Sequence, residues 1–348
     1  MQPNLNLKDG LSGILRAKNE ARFVSACIES CIDALDELII VYNDCSDTTP
    51  QIIKEKQRKY PDKIKIYPYE HNILAYDLTK DQLEYIIGLP EGSHQLLSTY
   101  YNFALSKVSY RYCLKIDADQ IYFTDELKKW RDLCHTIPCW KHSFFIGGIF
   151  MNYFSVYRRL SSYFGKPFLR MLPDKLIEKC FTYYKSYAGF QLLKGKAAIS
   201  LSGLNVFKDE EWYVPFDGLN IHPPYNGEGD TLIFRLTRNT FFSKFYNGVS
   251  NCVIEKFNCP YKVMYTGPIW FHLHALRENC WHKVKEYKDN NPEQFVPIEK
   301  FPLMTYEEVN KKMDHKSHSV YQRTLFALIH KQGCHIIKKY LNLLDNIE

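Results

Sequence analysis

The sequence predicts an α/β protein built on a Rossmann-like, mostly parallel central sheet with helices on both faces. Three observations carry that expectation. Short apolar runs alternate with amphipathic stretches from residue 11 to residue 67, the rhythm of a doubly wound sheet. A later apolar run, Tyr112 to Ile116, ends in Asp117-Ala118-Asp119, two carboxylates at a strand's carboxyl end, where open α/β sheets bind ligands. Finally, 348 residues, 45% hydrophobic and 24% charged, suffice for one large α/β domain with a subdomain, or for two modest domains.

The elements follow in order. Residues 11–15 read as a strand, and Asn19-Glu20 opens a helix running to Leu35. Residues 37–42 form a second strand that feeds the polar turn 43–47. A helix spans 49–59 with Pro50 in its first turn, where proline gives up only an N–H that has no helical partner. Residues 64–67 make a third strand, and 70–95 an insertion with one short helix at 79–87. A helix over 96–107 leads into the strand ending at Asp117, and another covers 125–134. Residues 144–190 then hold fourteen Phe or Tyr in 47 positions, interleaved with Arg158, Arg159, Lys166, Arg170 and Lys185. That richness sets off a helical aromatic and basic insertion of the kind found at membrane interfaces and sugar platforms. Residues 198–274 return to short strands and turns, and 306–345 to helices. The domains expected are an α/β half (1–125), the helical insertion (126–197), a half completing the α/β domain (198–305) and a basic helical tail (306–348).

Charge locates partners. The net +6 is matched by residues 311–343 alone, where seven Lys or Arg face the single acid Asp314. The balanced remainder and the lack of any RNA or DNA motif exclude a nucleic-acid partner. Leu325, Leu328, Ile329, Ile336, Ile337, Tyr340 and Leu341 recur at helical spacing, so the tail is expected as a basic amphipathic helix. It would lie on an anionic membrane surface or pack on the domain with its charges solvated. No apolar run reaches the roughly 18–20 residues of a membrane span. The polar first ten residues lack a secretory core, which places the protein in the cytoplasm, with peripheral contact at the inner face of the cytoplasmic membrane. Eleven scattered cysteines without a CxxC pair read as reduced thiols, not a zinc site.

Four segments carry candidate chemistry. Asp117 and Asp119 offer hard oxygen donors suited to Mg2+ or Mn2+. The turn 43–49 holds Asn43, whose amide can both donate to and accept from a nucleobase edge such as uracil; the same residues also make Asx-turns and helix caps. Tyr225 to Leu236 places Glu228 and Asp230 in a glycine-rich loop expected to open an apolar helix, where Asp230 acts as a cap or as a general base. His272 and His274, two apart in an expected strand, share one face and suit metal ligation or a structural role.

Taken together, these segments resemble family-2-type glycosyltransferases of the GT-A fold. Ile14-Leu15-Arg16-Ala17-Lys18-Asn19-Glu20 is similar to the first nucleotide loop and Val41 to Thr49 to the second. Tyr100-Tyr101-Asn102-Phe103-Ala104-Leu105 looks like the helix before the metal motif, and Asp117-Ala118-Asp119 like the motif itself. Gly227-Glu228-Gly229-Asp230-Thr231-Leu232 is similar to the family's Gly-Glu-Asp element with one glycine inserted. The resemblance is good over 11–125 and patchy over 200–240.

It implies a hexosyltransferase that moves a sugar from a nucleotide-sugar, most often a UDP-sugar, to a glycan or lipid-linked glycan acceptor, as in lipopolysaccharide, O-antigen or capsule synthesis. It implies a cation, Mn2+ or Mg2+, on Asp119, with Asp117 at ribose or metal and His272 or His274 completing the set. Nucleotide contacts are expected from Arg16, Asn19, Glu20, Asn43, Asp44, Asp47, Asn102, Asp117 and Ala118. The family has Asp where Asn43 stands, so the base contact falls to Asn43 or Asp44. The general base is Asp230, which directly precedes the expected helix, or Glu228; single displacement would invert the anomeric centre. The alternative is a non-catalytic nucleotide- or sugar-binding protein on the same scaffold. A sugar nucleotidyltransferase would need a glycine-rich, arginine-containing first loop, which is missing.

Overall fold

The computed structural model describes residues 7–76, 78–164, 174–216, 223–226, 231–248, 250–259, 262–313, 319–345 and 347. The chain begins with β1 (Lys8–Ala17), α1 (Val24–Cys31), β2 (Glu37–Tyr42), α2 (Thr49–Lys59) and β3 (Ile64–Pro68). Next come α3 (Lys80–Gly88), α4 (Leu97–Leu105), β4 (Tyr110–Asp117), β5 (Gln120–Tyr122) and α5 (Thr124–Cys134). A long pair, α6 (Ser143–Phe164) and α7 (Asp174–Leu193), precedes β6 (Ala197–Asn205), β7 (Phe207–Lys208), β8 (Trp212–Pro215) and β9 (Tyr225–Asn226). Then follow β10 (Leu232–Arg235), β11 (Phe241–Asn247), β12 (Cys252–Asn258) and β13 (Lys262–His272). The last elements are α8 (Glu278–Asn290), β14 (Phe295–Pro297), α9 (Tyr306–Lys312) and α10 (Val320–Ile337).

The chain divides into two compact units. The first comprises Met1–Ala118, Leu127–Thr136 and Leu232–Lys262. Its sheet runs β3-β2-β1-β4-β10, with the first four strands parallel and β10 antiparallel to β4. Leu11, Ile14, Leu15, Leu38, Ile39, Ile40, Val41, Leu114 and Ile116 are fully buried, the near-continuous apolar reading of parallel strands covered on both faces. The α/β, mostly parallel expectation therefore holds. In register Arg16 lies beside Asp117 and Ala17 beside Tyr42, so the segments after β1, β2 and β4 leave one edge together. At the opposite edge buried Glu37 accepts from Ser12 Oγ at 2.7 Å, Lys65 Nζ at 2.6 Å and the Ser109 backbone N–H. One carboxylate thus ties β1, β2 and β3 to the residue before β4.

Two helix expectations change in this unit. The first helix starts at Val24 rather than Asn19, and its last turn tightens into a 3-10 helix, Ile32–Ala34. Its predicted opening is held elsewhere: Asn19 has φ 56°, and the N–H groups of Glu20 and Ala21 donate to Thr49 Oγ1 and Asp47 Oδ2. The apolar run after Thr231 is not a helix but β10, paired with β4 through Ile233, Phe234 and Arg235. A four-residue apolar run is too short to separate the two states by periodicity, and ladder pairing decides it.

The second unit comprises Asp119–Glu126, Ile137–Thr231 and Val263–Glu348. Here β13 lies between β6 and β5, β9 pairs with β6, and β14-β8-β7 form a small separate sheet. Of the two arrangements expected for the tail, α10 takes the packed one. Ser319 and Gln322 form a capping box that starts α10. From Arg323 to His330 every residue of α10 is buried, so its apolar side is already covered by the fold and not free for lipid.

Within that packing, Tyr225 OH donates to His330 Nδ1 at 2.8 Å and His330 Nε2 donates to the Met304 carbonyl at 2.7 Å. Burial pushes the His330 pKa down to about 4, so the ring is neutral in the fold. The unfolded chain then binds more protons between pH 6.5 and 4; the contribution is complete above pH 6.5 and is lost as pH falls towards 4, about 3 kcal/mol in all. Urea unfolding at pH 7 and pH 5 checks this, the wild type losing about 2 kcal/mol more than His330→Gln. Equal losses would assign acid sensitivity to other groups.

Candidate functional site

The second unit gathers three ligand-type side chains. Asp119 Oδ1 lies 3.6 Å from His272 Nε2, and Oδ2 lies 3.5 Å from His274 Nδ1. All three ligand atoms fall within 4.8 Å of one another, the one such group among the described residues. The backbone explains the convergence. β13 ends at His272, the Leu273 N–H donates to the Asp119 carbonyl at 2.8 Å, and a 3-10 turn, His274–Leu276, brings the second ring back. The two rings sit 5.6 Å apart and 24° from parallel, a turn rather than the strand alternation expected.

The neighbours fix this geometry. Asn205 Nδ2 donates to the Pro223 carbonyl, which turns its Oδ1 towards His272 Nδ1 at 2.7 Å. Asn226 Nδ2 meets the same nitrogen at 3.1 Å, so two amides hold the ring with Nε2 facing Asp119, the kind of second-layer support that metal-binding histidines receive. Arg277 binds Asp119 Oδ2 through Nε at 3.0 Å and Nη2 at 2.9 Å. Burial alone would raise the Asp119 pKa, but His272, His274 and Arg277 outweigh it and hold the carboxyl well below its usual range. Beyond Asp119, Gln120 Nε2 donates to Thr231 Oγ1 at 2.9 Å and Gln120 Oε1 accepts from Tyr122 OH at 2.6 Å.

The first unit holds the loops after β1 and β2. Asn19 Oδ1 accepts from the Ser46 N–H at 2.8 Å, and Asp47 accepts from the N–H groups of Ala21 and Thr49 at 3.0 and 2.9 Å. Burial works against the Asp47 charge, but the Thr49 and Ala21 hydrogen bonds win and lower its pKa. Lys18 pairs with exposed Asp44 at 2.8 Å. Asn19, Glu20, Asp44 and Asp47 thus knit the two loops into one surface. At its base Arg16 lies over the Tyr101 ring at 4.2 Å and 3.7 Å from Asp117, while Lys115 reaches Asp117 at 3.9 Å and Glu255 at 3.4 Å. Two buried atoms here, Asn43 Nδ2 and Arg16 Nε, have no hydrogen-bond partner among the described residues.

The expected residues therefore fall into distinct places. Asp119, His272 and His274 come together; Asp117 instead sits with Arg16 and Lys115, and Ala118 is buried. Asn102 Nδ2 donates to the Phe242 carbonyl and its Oδ1 accepts from the Phe242 N–H, each at 2.8 Å, so the amide completes a strand edge. Glu228 and Asp230 lie outside the described residues. Arg277, Asn205 and Glu255 were not foreseen. For Arg277 a signal existed, a third cationic group in the run His272 to Arg277; Asn205 and Glu255 arrive from distant strands and leave no local trace.

Residues 8–139 match the family model of beta-1,4-N-acetylgalactosaminyltransferase (CgtA). No curated protein matches. Among solved structures, S. aureus TarS 1–349 aligns at 11% identity over 96% of this chain and 91% of that one, with a TM-score of 0.36. The TarS 1–349 structure in complex with UDP aligns at 12% identity over the same shares, with a TM-score of 0.33. Glucosyl-3-phosphoglycerate synthase from Mycobacterium tuberculosis, in complex with Mn2+, UDP and phosphoglyceric acid, aligns at 18% identity over 32% of this chain, with a TM-score of 0.20. This chain covers 34% of that synthase. Over residues 8–139 the chain is therefore similar to a glycosyltransferase family.

Proposed function

We propose that the protein transfers a sugar from a UDP-sugar to an acceptor hydroxyl, using a divalent cation held by Asp119, His272 and His274. The observation that carries this reading is that triad, one carboxylate and two imidazoles within 4.8 Å of one another, with the His272 ring held by Asn205 and Asn226. The donor set fits a cation, and its mixed nitrogen and oxygen atoms favour Mn2+ over Mg2+. Bound there, the cation would neutralise charge on the departing diphosphate. Arg277, already on Asp119, adds a fixed positive charge at the same place.

The buried, unpartnered Asn43 Nδ2 supports base reading after β2, since an amide held without a partner is costly unless a ligand supplies one. Arg16 and Asp117 would contact the ribose and phosphate side. Glu228 or Asp230 would take the acceptor proton; with β10 in place of a helix, position before a helix no longer separates them. One base acting opposite the leaving group would invert the anomeric centre. The family description makes a UDP-N-acetylhexosamine the first donor to try, with a lipid-linked or surface glycan as acceptor.

Thermal unfolding with UDP, GDP or CMP, each with and without Mn2+, tests the donor. UDP with Mn2+ is expected to stabilise by about 2.7 kcal/mol at a hundredfold excess over Kd, and Asn43→Ala to reduce that gain. No response to any nucleotide would move the protein to the non-catalytic reading. Glu228→Gln and Asp230→Asn then identify the base, one of them lowering turnover by about 10²–10⁴ while donor binding persists.

A further inference from the structure

The outer face of α6 carries a row of apolar side chains, interrupted by exposed Asn152, where a surface helix is normally polar. Phe145, Ile149, Val156 and Tyr163 are 67%, 50%, 51% and 84% exposed. At about 100° per residue, they lie within about 40° of one another around the helix. The opposite side carries the buried residues, and there Phe154 stacks on Phe181 of α7 at 4.8 Å. Gly147 shows how close that packing is, because an added Cβ would lie 2.4 Å from the Tyr183 carbonyl. The helix cannot turn its outer row inward, since its inner side is already filled.

Charge indicates what covers the row. Residues 137–164 contain no Asp or Glu, whereas Lys141 and Arg159 are exposed and flank the stripe. Trp140, also exposed, stands just before the helix. A second copy of the chain would set these cations against their equals. An anionic bilayer would instead receive aromatic and aliphatic groups at the headgroup boundary and pair the cations with phosphates. Among the described residues no helix is long and apolar enough to cross a membrane.

We propose that α6 lies in the plane of an anionic membrane surface, with Phe145, Ile149, Val156 and Tyr163 inserted and Lys141 and Arg159 at the lipid phosphates. This docking element replaces the C-terminal segment, whose apolar side the fold already buries. At about 1.5 Å per residue, α6 presents a contact about 33 Å long.

Co-sedimentation of the full chain with phosphatidylcholine vesicles, alone or mixed with phosphatidylglycerol, tests the proposal. The wild type is expected to pellet with the mixed vesicles. Combining Phe145→Asn, Ile149→Asn, Val156→Asn and Tyr163→Asn should lower that partition about tenfold while unfolding stays cooperative, because each of the four side chains is at least half exposed. Lys338→Gln with Lys339→Gln should pellet like the wild type. Wild-type protein that stays in solution with both vesicle types, or a quadruple variant that still pellets, overturns the proposal. So does a wild-type dimer, seen by sedimentation velocity, that the quadruple variant dissolves.

Discussion

Asp119→Asn is expected to lower transfer by at least about 10³-fold, roughly 4 kcal/mol of transition-state stabilisation. Asp119 is the single carboxylate in the triad, and its two oxygens face different partners, Oδ1 towards His272 and Oδ2 towards His274 and Arg277. An amide keeps the shape but removes the charge that draws a cation to a site already beside a guanidinium. The loss should therefore appear as weaker Mn2+ binding as well as slower turnover. Arg277 is partly exposed, so water can take over part of the lost contact and the fold should survive. Titration of free Mn2+ by electron paramagnetic resonance, together with turnover of a UDP-sugar, separates these effects. A folded variant that binds Mn2+ and turns over like the wild type would remove Asp119 from the proposed chemistry.

Gly203→Ala should be among the most disruptive small substitutions. A Cβ at Gly203 would fall 2.1–2.4 Å from Cε3, Cδ2 and Cζ3 of Trp270. The indole cannot move aside, because it is fully buried and its Nε1 donates to the Leu201 carbonyl at 3.1 Å. Overpacking of this kind typically costs about 1–3 kcal/mol, and a rigid ring places this site at the upper end. The damage should also reach the candidate centre, since Trp270 stands edge-on to His272 at 5.4 Å. Denaturant unfolding and Mn2+ affinity should fall together. Adding Trp270→Leu should restore part of the stability by opening space, a positive coupling measurable in a double-mutant cycle. Simple additivity would show that the two side chains do not collide.

Much of this arrangement is legible in the sequence. The strand 37–42 and the helix 49–59 appear with the expected bounds, because their signals are local: a continuous apolar run, and proline in a first turn. The Asp-Ala-Asp end of β4 was visible for the same reason. What escaped depends on residues far apart in sequence. Hydrogen bonds across 26 and 29 residues hold Ala21 and Glu20 out of the first helix, and Asn102 meets Phe242 across 140. The tail illustrates a different limit. Apolar residues at helical spacing describe equally a helix lying on lipid and one buried in a core; only the neighbours of α10 decide between them.

The joint at Glu37 bears on how the sheet reaches its alignment. Slipping β2 by one residue would reverse every side chain of that strand and carry the carboxylate away from Ser12, Ser109 and Lys65. Stranding a buried charge costs about 3–5 kcal/mol, more than many apolar mismatches. The acid therefore works as a proofreading device during folding: among the nearly equivalent ways of laying apolar strands side by side, it rejects those whose starts are out of step.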